Sequence, residues 1–370
     1  MQQILLLRPQ IAEYDWGGIS AKDGSAAFLR NFLDLKPSTK PAAEIWYGAH
    51  PSLPAKVLVK DREFPLDSLI EANPDKILGP KLIERGYKTL PFLFKISDAL
   101  QSLSIQAHPD APQAKILHQQ FPERYPDPNG KEEFWFAIDD DGLDAFAGFK
   151  NPDLLLQNKK LVDKIPFFSK NLEKLQSTQI SQQAFMKGLL EALMQIQPQI
   201  RDLLLPHLLN RVHLEKEEGI FIPPRTPHAI IKGRYAEIQV NSDNTVRAGM
   251  TTKFVDIPVL LDILDFKSGL PPVIKPIMVI KELEYSYPLN TINFSLSHIK
   301  LQKGDELIQD TKGITPHLLV SFAGECEIIT KNKVFSGLKR GQAILLQADF
   351  KTYNIRSKTE NLCLIKSFMP

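Results

Sequence analysis

The chain is 370 residues long, 43% hydrophobic and 24% charged, with a formal net charge of +2. That length exceeds one ordinary domain and calls for two or three units, and the composition is that of a soluble globular protein. A balance so close to neutral gives no basic face for a nucleic acid or a membrane surface, and neither is expected as a partner.

Only two cysteines occur, Cys326 and Cys363. They form no metal-spacing motif and no disulfide framework, which favours a reducing compartment. The opening MQQILLLRPQ has a short apolar run with no basic region before it, so it does not read as a signal peptide. No stretch approaches the roughly 20 apolar residues needed to span a bilayer. A cytoplasmic protein is expected.

In chain order, residues 1–60 read as short strands and turns carrying Trp16, Glu44, Trp46 and His50. Trp46 is read as core. Residues 61–90 hold two helix-like runs, LDSLIEANPDKILG and KLIERG. PFLFKISDALQSLSIQAHP is expected to be a β-hairpin with Asp98 at its turn, and Asp110 then caps a short helix. YPDPNGK is a loop by its Pro, Asn and Gly content. Residues 150–210 lose strand patterning, and Phe185, Leu189, Leu190, Leu193 and Met194 fall at helical spacing behind a Ser181 cap. His207 there reads as structural. From about 211 the strands return: EEGIFIPPRTPHAIIKGRYAEIQV reads as strand, Pro-rich turn, strand, turn, strand. A helix begins at Asp256, SGLPPVIKP is a break, and short strands fill the remainder. His317 among them has no evident partner ligands.

One stretch carries the chemistry. In LSIQAH, a strand puts Ser104, Gln106 and His108 on one face and Leu103, Ile105 and Ala107 on the other. Pro109 ends the ladder. Glu133, or its neighbour Glu132, and His228 offer matching ligands on other short strands. Two imidazole nitrogens, a carboxylate oxygen and an amide oxygen suit Zn²⁺, one ion per chain, with Mn²⁺, Co²⁺ or Fe²⁺ possible.

Six segments together, YDWGG, AEIWYGAHPS, LSIQAHPD, YPDPNGKEE, PPRTPHAI and SDNTVRAGMTTKFVD, resemble the type I mannose-6-phosphate isomerases (phosphomannose isomerases) of the cupin superfamily. The resemblance implies a mainly β fold with a helical insertion: a cupin, or jelly-roll β-barrel, catalytic core and a second, C-terminal β-barrel-like domain. The expected division is 1–149 with 211–267 as the catalytic cupin domain, 150–210 as the helical insertion, and 268–370 as the C-terminal cupin-like domain. It implies a zinc held by Gln106, His108, Glu133 and His228, a catalytic arginine at Arg247 and an active-site lysine at Lys131. Further pocket residues are Trp16, Glu44, His50, Ser104, Glu237, Asp243 and Lys253. Three positions depart from the family pattern. Gly130 stands where a histidine is usual, Arg225 where a glycine is common, and Ile230 where an aromatic is common.

The implied reaction converts mannose 6-phosphate and fructose 6-phosphate through an enediolate. It needs a base of tuned pKa, for which Lys131 and Glu237 are candidates, with His50 available for ring opening. Arg247 would meet the developing oxyanion. Ser104 and Lys253 are the leading phosphate candidates, followed by Lys95 and Arg225. The partner expected is a small sugar phosphate, and the chain is expected to act as a monomer. Two alternatives are a sugar-phosphate-binding metal cupin without turnover and an Fe²⁺-dependent cupin oxygenase.

Overall fold

The period-2 apolar runs on either side of residues 150–210 become antiparallel strands, and the run between them becomes helices. The computed structural model describes residues 4–21, 24, 26–59, 62–155, 164–177 and 179–370. Within the expected helical stretch, residues 156–163 and 178 lie outside the described residues. The fold is mainly β. No described helix is long and apolar enough to cross a membrane.

The chain forms two compact units, one of Met1–Asp98, Tyr235–Asn241 and Ile274–Pro370, the other of Ala99–Arg234 and Ser242–Val273. The Val273/Ile274 boundary falls inside the Pro-rich break at 268–276.

The first unit holds a nine-stranded antiparallel sheet and a four-stranded one. The strand Ile4–Arg8 pairs with Ala343–Leu346 on one side and Lys56–Val59 on the other, so the start of the chain shares a sheet with its end. The two sheets face each other across a shared core. Ile299, Leu319, Leu346 and Leu364 come from the larger sheet, and Leu307, Ile328, Leu338 and Ile355 from the smaller.

In the second unit the helical stretch is amphipathic as its spacing requires. Ser181 accepts a bond from Ala184 N and caps the helix Gln182–Met194. Its buried Phe185, Leu189, Leu190, Leu193 and Met194 pack in one cluster with Ile105, Ala107, Ala229 and Val246 from the strands.

Two local expectations fail. Asp98 is not at a turn but inside the eight-residue strand Phe92–Ala99, whose Ser97 pairs with Glu44. FLFKISDA holds no Pro or Gly to break it, and Asp98 N still donates to the Ala43 carbonyl at 3.1 Å, so the strand runs through Asp98 to Ala99. The segment HAIIKGRYAEIQV is likewise one 13-residue strand, His228–Val240. A bulge between Ile230 and Lys232 and a positive φ of 132° at Gly233 absorb the irregularity that reads as a turn.

The core of the first unit also buries polar groups. Lys366 Nζ lies 2.6 Å from Glu284 Oε1 and donates to Gln309 Oε1, and Gln309 Nε2 donates to Glu284 Oε2 at 2.7 Å. His317 Nδ1 is 2.8 Å from the Tyr353 hydroxyl. Burial, and then the positive Lys366, push the His317 imidazole down to about 3. An unfolded histidine titrates near 6.5, so between about 6.5 and 3 the unfolded chain binds the extra proton. The wild type therefore loses stability through this residue as pH falls through that window. Relative to the wild type, His317→Gln is expected to gain stability from pH 7 to pH 4, read as urea midpoints of the two proteins at each pH. A pH-independent gap between them would contradict the assignment.

Candidate metal centre and active site

The strand Ile105–Ala107 is only three residues long, and both of its ends are held. Ile105 and Ala107 are fully buried against the helices. Gln106 therefore faces the other way. Gln106 pairs with His228 on one side and with Arg247 of the strand Val246–Gly249 on the other. Residues directly opposite in an antiparallel ladder share a face, so His228, Gln106 and Arg247 stand abreast. His108 follows the strand, and Asp110 stops the chain with a full capping box on the helix Ala111–Gln120.

Three buried side chains then converge. His108 Nε2 lies 3.1 Å from Glu133 Oε1, and His228 Nε2 lies 3.6 Å from Glu133 Oε2. The ligand atoms of His108, Glu133 and His228 all fall within 4.8 Å of one another. Glu133, and not Glu132, is thus the carboxylate of the group. Lys131 Nζ sits 2.9 Å from Glu133 Oε1, and Trp135 Nε1 donates to Glu133 Oε2 at 3.1 Å. Ser104 Oγ donates to Gln106 Oε1 at 3.3 Å, which puts Ser104 beside the amide oxygen as the alternation predicts.

Backbone carbonyls decide the imidazole tautomers. His108 Nδ1 donates to the Asn244 carbonyl at 2.7 Å, and His228 Nδ1 donates to the Thr226 carbonyl at 2.9 Å. Each Nε2 then presents a lone pair, and neither makes a hydrogen bond among the described residues. Burial lowers the His108 pKa to about 4, with Lys131 adding to the shift, and burial also lowers that of His228. Both rings are neutral at pH 7. Burial would raise the Glu133 carboxyl, but Lys131 beside it prevails and holds it well below the ordinary range. Two lone pairs thus face an ionised, buried carboxylate, an arrangement that a bound cation would relieve. The donor set of two nitrogens, a carboxylate and the nearby amide oxygen fits a zinc-like ion.

Arg247 is half-buried, and burial draws its pKa down from the usual arginine value. Among the described residues its guanidinium has no hydrogen-bond or ion-pair partner. Asp243 and Lys253 are exposed in the same unit; Asp243 N donates to Asp127 Oδ2 at 2.9 Å, and Lys253 N to Thr251 Oγ1 at 3.1 Å. Arg225 adopts φ +69°, a conformation suited to the glycine usual there. Its guanidinium Nε donates to the Ile263 carbonyl and Nη1 lies 3.5 Å from Asp110 Oδ2.

The first unit carries a polar cluster of its own. Lys95 Nζ lies 3.4 Å from Glu237 Oε1 and 4.0 Å from Glu44 Oε1, all three buried. Trp46 Nε1 donates to Glu44 Oε2 at 2.6 Å, and the His50 ring meets the Trp46 ring edge-on. Trp46 is core, packed with Ala12 and Leu93, yet its indole N–H also orients Glu44. The register Trp46↔Lys95 and Glu44↔Ser97 makes this cluster, and sequence spacing carries no trace of it. Trp16 is half-buried and stacks on Tyr14.

Residues 4–152 match the family model for the catalytic domain of phosphomannose isomerase type I. A mannose-6-phosphate isomerase of Ogataea parapolymorpha is 35% identical over 309 residues, 68% of this chain and 70% of that one. The chain belongs to the type I phosphomannose isomerase family. Another mannose-6-phosphate isomerase, from Salmonella typhimurium, is 29% identical over 383 residues, 93% of this chain and 95% of that one. A crystal structure of mannose 6-phosphate isomerase from Salmonella typhimurium with fructose 6-phosphate and zinc bound superposes with a TM-score of 0.83. It is 24% identical and covers 99% of both chains, a likeness of fold.

For a member of this family, Gly130 is the notable departure. A Cβ at Gly130 would lie 2.4 Å from Ala111 N and 2.7 Å from the Asp110 carbonyl carbon. Lys131 N donates to the Pro109 carbonyl at 3.1 Å, so the loop is pressed onto the start of the capped helix. Glycine here is a packing requirement. Gly130→His, the family's usual residue, is expected to cost about 1–3 kcal/mol of stability by overpacking and to leave turnover no higher, measured by thermal unfolding and by isomerase assay. An unchanged melting temperature with raised turnover would contradict this.

Proposed function

We propose that the chain is a metal-dependent aldose–ketose isomerase that interconverts D-mannose 6-phosphate and D-fructose 6-phosphate. Family membership supports the reaction, and one observation carries the chemistry: two bare imidazole nitrogens meet an ionised carboxylate in a buried site, with an arginine that has no partner among the described residues on the same sheet face.

Gln106, His108, Glu133 and His228 would hold the zinc. Bound there, zinc supplies Lewis-acid polarisation and orientation of the sugar oxygens. The chain's own residues do the rest. Arg247 stays charged at any working pH and presents a planar fork to the oxyanion that forms as the proton leaves the carbon next to the carbonyl. Lys131, ion-paired to Glu133, is one candidate for moving that proton. Glu237 is the other, and His50 serves ring opening. Trp16, Glu44, Ser104, Asp243 and Lys253 are proposed to bind the sugar phosphate.

The same reading keeps 1–149 with 211–267 as the catalytic part, 150–210 as its helical insertion and 268–370 as a C-terminal cupin-like part. It also makes the protein a cytoplasmic monomer that binds no nucleic acid.

A coupled assay for fructose 6-phosphate tests the proposal on purified protein of known metal content. Turnover is expected, lost on chelation and restored by Zn²⁺. Arg247→Ala is expected to lower kcat by about 10²–10³. Absence of turnover in folded, zinc-loaded protein would overturn the isomerase and leave a sugar-phosphate-binding cupin.

A further inference from the structure

The Nδ1 proton of His108 is held by the backbone of one residue whose side-chain amide nitrogen is also engaged. Asn244 is completely buried. Its carbonyl accepts from His108 Nδ1 at 2.7 Å. Its side-chain Nδ2 faces three acceptors, the Asp127 carbonyl at 2.7 Å, Asp127 Oδ1 at 3.2 Å and the Asn129 carbonyl at 3.0 Å. All three neighbours are acceptors, so the orientation of the amide is chemically decided.

The surrounding bonds reinforce the same link. Ser242 Oγ donates to the Asn129 carbonyl and accepts from Asn244 N, each at 3.2 Å. Asp243 N donates to Asp127 Oδ2 at 2.9 Å, and Asn129 N donates to Asp127 Oδ1 at 3.0 Å. Residues 127–129 are thereby stitched to residues 242–244. The first segment leads directly to Lys131, which pairs with Glu133. The second leads into the strand that carries Arg247. His108, Lys131 and Arg247 approach the site from three separate places in the chain, and Asn244 joins them.

We propose that Asn244, acting with Asp127, is a positioning residue for this centre. It fixes the His108 tautomer and ring orientation through its carbonyl and fixes the Lys131 loop through its amide. The proposal rests on the isomerase reading for its kinetic consequence and is independent of it for its effect on metal affinity. Groups that orient a metal-ligating histidine typically matter about 10–100-fold in metal affinity or activity.

Asn244→Asp is the sharp test, because it sets a carboxylate against three acceptor oxygens at nearly unchanged volume. Zinc affinity by competition with a chromophoric chelator is expected to weaken about 10–100-fold, and kcat to fall with little change in KM. A defect of general stability would lower the melting temperature without that split. Asp127→Ala, in a less buried loop, serves if Asn244→Asp does not fold. It is expected to speed amide exchange at residues 129–131 and to lower kcat, again at near-constant KM. Folded Asn244→Asp with wild-type zinc affinity and kcat, or Asp127→Ala with unchanged exchange and kcat, would overturn the assignment. If the wild type itself turns over no mannose 6-phosphate, the isomerase reading fails, and the zinc and exchange measurements still decide the clamp.

Discussion

Everything at the centre depends on one electrostatic conflict. Glu133 is ionised, and the two Nε2 lone pairs of His108 and His228 point at it from 3.1 and 3.6 Å in a buried space. Protonating an imidazole would resolve the conflict, but burial makes that unfavourable. Lys131 offsets part of the negative charge from one side. A divalent cation between the three groups resolves it fully, and binding such a cation would also stabilise the fold that presents them.

A conflict of this kind persists only if its members cannot move apart. Each is therefore held from behind. Gln106 is held by Ile105 and Ala107, which are locked into the core built by the helix Gln182–Met194. His108 is held by the Asn244 carbonyl, and the chain beyond it is stopped by the Asp110 capping box. Arg225 donates its backbone N–H to the His108 carbonyl at 2.7 Å, which ties the turn before His228 to the other histidine. The helix Gln182–Met194 thus backs the strand that carries Gln106. Its apolar stripe is the surface against which Ile105 and Ala107 are seated.

The sequence was most legible where one period or one cap decides the outcome. Alternation in LSIQAH placed Gln106 opposite the buried Ile105 and Ala107, and helical spacing identified the buried face of 182–194 except for Met186. Legibility ended where pairing is non-local. The strand continuing through Asp98 and the unbroken strand 228–240 both owe their shape to partners distant in the chain, which override weak turn signals. The cross-strand neighbours Trp46 and Lys95 are brought together by register alone.

By itself the sequence determined the ligand types, the mainly β class, the helical stretch and the family likeness, because these rest on composition, short periods and local spacing. The tertiary structure alone decided that both imidazoles carry their proton on Nδ1, and it brings to the histidines Glu133, the carboxylate that the family resemblance favoured over Glu132. It also decided that Gly130 is required by the backbone of Asp110 and Ala111, and that Asn244 links His108 to the Lys131 loop. Those outcomes depend on distances between segments far apart in the chain, and such distances exist only once the strands have paired and water has been excluded from between them.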